Sequence, residues 1–162
     1  MRAVLASLVA SGLLAAPLAE ADQCARPADK VAFDVVGLKS QLMVTAISCQ
    51  AQDKYNGFVA RYRTSLVSQE RSLTSYFLRA YGRSGQKQHD DYITLLANSQ
   101  SEKGIQQGTL FCDKNIGMFD EVMKLKDGSE LPAYANSKAV AQPVVLIDCP
   151  EKPAKVTRTA KK

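Results

Sequence analysis

The sequence predicts an all-α fold, a single compact helical domain of five to six helices stapled by two disulfides and followed by a disordered basic C-terminal tail. Three observations lead there. Between Val31 and Ala141 the apolar residues recur at steps of three and four, and no stretch alternates with the period of two that a half-buried strand requires. Four cysteines sit in a chain whose N-terminus reads as an export signal, the setting in which cysteines pair. The chain of 162 residues, 46% hydrophobic and 23% charged, is too apolar for a disordered protein and too short for two ordinary domains.

Met1 and Arg2 precede an uncharged run from Ala3 to Ala16, and Ala19-Glu20-Ala21 puts small residues where a signal peptidase reads. Residues 1–21 are therefore expected to be a signal peptide, cleaved before Asp22. The run is shorter than the ~20 apolar residues that cross a bilayer. No later stretch of that length is uncharged, so no transmembrane segment is expected. Ala21-Asp22-Gln23 before Cys24 lacks the small-residue box of a lipid-attachment site.

Residues 22–149 form the expected helical domain. A first helix over 33–50 carries Val35, Leu38, Leu42, Ala46 and Cys49 on one stripe, widened by Val36, Met43 and Ile47. Asp53 is placed to cap a second helix, where Tyr55, Phe58, Val59 and Tyr62 share a side. Thr64-Ser65 offers a break before a third, with Leu66, Leu73, Tyr76, Phe77 and Ala80 inward and Gly82 at its end; the two also read as one bent helix. Arg83-Ser84-Gly85 is a linker. A fourth helix over 86–103 aligns His89, Tyr92, Ile93 and Leu96 and is expected to stop at Gly104.

Thr109 is expected to cap a fifth helix with Cys112, Ile116, Phe119 and Met123 on one stripe, ended by Asp127-Gly128. A short sixth runs from Pro132 to Val140, and Val144–Ile147 is extended, delivering Cys149. No repeat of 20 to 50 residues is visible.

A first helix of about 18 residues would hold Cys24 and Cys49 roughly 25 Å apart, beyond the ~7 Å reach of a disulfide between Cα atoms. The favoured pairing is Cys49 with Cys112, joining two helices, and Cys24 with Cys149, tying the termini. The other crossing, Cys24 with Cys112 and Cys49 with Cys149, stays open. Redox or metal chemistry is not expected of these residues: there is no Cys-x-x-Cys, and the chain has a single His.

The formal net charge is +5, and residues 150–162 account for +4 of it through Lys152, Lys155, Arg158, Lys161 and Lys162 against Glu151. That segment has no apolar periodicity with which to offset its ordering entropy, so disorder is expected. Its charge suits an anionic surface. Nucleic acid is not an expected partner, because basic and aromatic residues are not interleaved.

No catalytic set converges. His89-Asp90-Asp91 would point in three directions on a helix, no Gly-x-Ser-x-Gly occurs, and no two carboxylates stand out, so neither an enzyme nor a cofactor is expected. Arg61, Arg63, Arg71, Arg79 and Arg83 are balanced locally only by Glu70 and are candidate anion contacts. The polar run Ala97-Asn98-Ser99-Gln100-Ser101 reads as a solvated helix face. The expectation is an exported protein, periplasmic or secreted, acting as a non-enzymatic binding or structural module of the envelope toward another macromolecule or an anionic surface. The alternatives are an inhibitor or immunity-type protein against an extracytoplasmic hydrolase, and a small hydrolase.

Overall fold

A helix that is apolar on most of its circumference has to be surrounded, and α1 (Pro27–Ser48) is. The computed structural model describes residues 23–138 and 140–150. Against α1 pack α2 (Gln52–Tyr81), α3 (Gly85–Gln107), the short α4 (Leu110–Asn115) and α5 (Gly117–Val122), and α6 (Leu131–Ser137), while a single 3-10 turn at Gly82–Ser84 joins α2 to α3. By length and composition α1 is apolar enough to cross a membrane, but 61% of that stretch is buried inside the fold. One side of it, Val35, Leu38 and Leu42, meets Phe58, Phe119 and Leu131. Its other side, Phe33 and Val36, meets Leu73, Phe77 and Tyr92. Phe33 is the hub of that second cluster, edge-on to Tyr76 and Tyr92 with ring centroids 5.0 Å away in both cases.

The helices follow the predicted periodicity, while their ends depart from it for identifiable reasons. α1 begins six residues earlier than expected, since Pro27 suits a first turn and the Asp29 carboxylate accepts the Arg26 amide at 2.7 Å. The second and third predicted helices are one 30-residue helix bent at Tyr62 (φ −106°, ψ 16°). There the tyrosine hydroxyl donates to the Val122 carbonyl at 2.7 Å, binding the bend to the end of α5. Asp53 does not cap α2; Ala51 occupies the cap position without a side-chain bond.

α3 runs past Gly104 to Gln107. A Cβ at residue 104 would stand 3.2 Å from the Phe111 ring, so this glycine permits close packing and does not end the helix. Gly108, at φ 56°, is the residue that terminates it. The predicted fifth helix is two short ones, α4 and α5, meeting at Ile116, and turns follow Val122 well before Asp127-Gly128. α6 closes at Ser137, before the expected Val140.

From Val140 the chain returns to the start of α1 without forming a regular strand. Ala25 donates its amide to Ile147 O at 2.7 Å, and Cys149 donates to Ala25 O at 3.2 Å. Beside this bridge Cys24 is bonded to Cys149, and Cys49 to Cys112, with Cα separations of 4.7 and 5.6 Å. The favoured pairing is therefore the one present, and no cysteine among the described residues is free. Two such bonds suggest an oxidising, extracytoplasmic environment. The expected signal peptide and, apart from Pro150, the expected tail lie outside the described residues.

Candidate functional site

On the outward side of α2, Thr64, Ser68, Arg71, Ser75 and Arg79 recur at helical spacing and form one polar stripe. Because α2 runs antiparallel to α1, the end of this stripe meets the start of α1, bringing Arg79 to Asp29. Together with Arg26 and Arg63 these groups line an open trough of about 770 Å³.

Arg79 is fixed within it. Its guanidinium donates to both Asp29 carboxylate oxygens, at 2.7 and 3.3 Å, and to Cys24 O at 3.2 Å, and lies 5.3 Å from the centre of the Tyr76 ring. Burial raises the Asp29 pKa, but the bonds from Arg79 and the Arg26 amide outweigh it and hold the carboxyl below its ordinary value. Breaking so buried a pair leaves an uncompensated charge, which makes it structural. Arg26, Arg63 and Arg71 are exposed and make no ion pair among the described residues, so the trough keeps a positive excess. Ser72 and Ser75 spend their protons on the carbonyls of Ser68 and Arg71, at 3.1 and 2.8 Å. Among the described residues, the hydroxyls of Thr64 and Ser68 make no such bond.

The five arginines singled out from sequence thus divide. Arg63 and Arg71 share the trough, and Arg79 is in it but held by Asp29. Arg61 is used elsewhere, donating to Leu125 O at 2.8 Å and to the Tyr62 hydroxyl at 2.9 Å, where it clamps the turn after α5. Arg83 stands exposed on the 3-10 turn, outside the trough lining. Sequence reasoning missed Arg26, whose signal was a cation directly before a helix-starting proline, and the hydroxyls spaced helically among the arginines.

His89 is half-buried, its ring edge-on to Phe77 at 5.7 Å. Of the two aspartates that follow it, Asp91 pairs with Lys87 at 2.5 Å and Asp90 turns to the imidazole, so the three side chains do not meet at one point. His89 Nδ1 lies 3.1 Å from Asp90 Oδ1, the same oxygen that accepts from Gln86 Nε2 at 2.9 Å. The polar run on α3 is also not uniformly wet. Gln100 is completely buried, donating Nε2 to Gly37 O at 3.1 Å and Ala141 O at 3.3 Å, while its Oε1 has no partner among the described residues.

A second concavity of about 400 Å³ opens where α1, α2 and α3 diverge. Val36, Leu73 and Leu96 form its buried part, and Met43 and Ile93 are only partly covered. Lys39 and Glu70, ion-paired and 31% and 41% exposed, also line it. A pair this wet contributes about 0–1 kcal/mol to stability. No family model matches the chain, and no curated protein or solved structure matches it either.

Proposed function

We propose that this chain is an exported, non-enzymatic binding module of the cell envelope that attaches to an anionic surface, such as lipid headgroups or envelope polymers, through the trough on α2. One observation carries the reading: Arg26, Arg63 and Arg71 line a single trough in which the one carboxylate, Asp29, is already taken by Arg79. Guanidinium groups facing water, of which Arg63 and Arg71 make no ion pair among the described residues and Arg26 feels Asp29 only at longer range, suit phosphate or carboxylate groups presented by a surface, beside the hydroxyls of Thr64 and Ser68. Export is supported by the two disulfides and by the signal-like pattern of residues 1–21. The net +4 of residues 150–162 would add a second, weaker attraction of the same sign.

The test is co-sedimentation of the oxidised protein with phosphatidylglycerol vesicles, against phosphatidylcholine vesicles as control. Binding should be confined to the anionic vesicles, weaken as salt rises, and drop about tenfold or more in Arg63→Ser/Arg71→Ser. A chain ending at Pro150 should retain most of it. If that truncation abolishes binding while the double variant binds like the wild type, attachment belongs to the tail and the trough reading fails.

A further inference from the structure

The cleft between α1, α2 and α3 is built from three stripes, each at helical spacing: Val36, Ser40 and Met43 on α1, Glu70, Leu73 and Thr74 on α2, and His89, Ile93 and Leu96 on α3. Sequence periodicity assigned Val36 and Met43 to a buried face, yet Met43 is only partly covered and Ile47, one turn on, is 65% exposed. The apolar surface that α1 carries beyond what its neighbours cover therefore becomes a cleft wall. Its volume, about 400 Å³, falls within the range of small-molecule sites, and its lining is mainly apolar with a few polar groups, the make-up typical of such sites.

The polar groups define a charge pattern. Lys39 brings one ammonium and Glu70 one carboxylate, while the His89 ring is already met by Asp90. The Ser40 hydroxyl is enclosed and lacks a partner among the described residues. Other helical hydroxyls, those of Thr45, Thr74 and Thr94, bond back to the carbonyl one turn earlier, at 2.8 to 3.0 Å. Ser40 does not, so one polar atom stands unpaired in the wall of the cleft, behind its surface.

We propose that this cleft binds a small zwitterion with an apolar body, the chemistry of an apolar α-amino acid, with its carboxylate on Lys39, its ammonium on Glu70 and its side chain between Leu73, Ile93 and Leu96. The charge balance selects the class. A simple carboxylate would face Glu70, a simple amine would face Lys39, and only a ligand carrying both charges satisfies both groups once their mutual bond opens. That bond is weak because both side chains are partly in water. Burial raises the pKa of Tyr55, which also senses both Lys39 and Glu70, so a third polar group stands beside the pair. The site is separate from the arginine trough, with which it shares no lining residue.

The experiment titrates the oxidised full chain with L-leucine, N-acetyl-L-leucine, L-leucinamide and glycine, following the methyl resonances of Val36, Leu73, Ile93 and Leu96. L-Leucine should shift these signals saturably below about 10 mM, and each of the other three should bind about tenfold more weakly or worse. Lys39→Met and Glu70→Gln should each weaken L-leucine about fivefold or more. Ile93→Trp, which fills the cleft from a partly exposed position, should abolish binding while thermal unfolding remains cooperative. Equal binding of N-acetyl-L-leucine with no loss in Glu70→Gln would make this an anion site and overturn the proposal. Equal binding of L-leucinamide with no loss in Lys39→Met would overturn it in favour of a cation site. An absence of saturable shifts with all four probes would overturn it outright.

Discussion

The side-chain amide of Gln142 occupies the space where a Cβ on residue 37 would stand, so Gly37 of the central helix is the point at which the returning C-terminal segment locks onto α1. That amide is not free to move aside. Its Nε2 donates to Phe33 O at 3.0 Å, and its Oε1 accepts from the Tyr92 hydroxyl at 2.7 Å. Val140 adds a methyl 3.0 Å from the same point.

Gly37→Ala should therefore destabilise the protein although alanine is the better helix former. Relocating the amide and Val140 is expected to cost about 1–3 kcal/mol, more than the ~1 kcal/mol of helix propensity gained. Urea denaturation measures it. Gln142→Ala should cost stability alone, and the double variant should lose less than the sum, because the clash with the amide disappears along with the amide and the loss of its two bonds is counted in both single variants.

Gln100 and its neighbours on α3 should respond unequally. Gln100→Ala removes the donor that serves both Gly37 O and Ala141 O and opens space in a completely buried position, so a loss of roughly 2–4 kcal/mol is expected. Ser101→Ala, on the exposed side, should stay within about 0.5 kcal/mol. Thermal midpoints of the two variants make the comparison.

Removing the Cys24–Cys149 bond by Cys24→Ser/Cys149→Ser should cost about 2–5 kcal/mol, since the bond closes a loop with a sequence separation of 125. The loss should be local first. Hydrogen exchange should accelerate at the Ala25 and Cys149 amides before it does at α1 residues such as Leu38, because the bridge beside the disulfide has only two backbone bonds.

Asp29 sets an acid dependence. Its native carboxyl is held below the ordinary 3.8, so the unfolded chain takes up this proton more readily than the folded one. The stability it contributes is complete above pH about 4 and is lost as pH falls through the lowered native value. Asp29→Asn should cost roughly 2–4 kcal/mol at neutral pH by stranding Arg79. It should also flatten the pH dependence of the unfolding free energy below pH about 4, which urea titrations at a series of pH values will reveal.

The sequence by itself determined the helical class, the places of the long helices and the exclusion of a Cys24–Cys49 bond, while the structure decided between the two remaining cysteine pairings. The first three follow from properties a linear chain already contains: a side-chain period of 3.6 along α1, α2 and α3, and a helical rise that keeps Cys24 and Cys49 too far apart to bond. Pro27 carries its helix-starting signal locally as well, and α1 begins there. Only the tertiary structure decided which polar groups are spent and which are available. Arg79 and Arg61 look like Arg63 and Arg71 in sequence, but α1 supplies Asp29 to the first and the turn after α5 supplies carbonyls to the second. Gln100 sits in a run that reads as solvated, and it is buried because the segment after α6 folds over it. The reason is the same in each case: periodicity fixes which way a side chain leaves its own helix, whereas its charge balance and burial depend on what a distant segment brings against it.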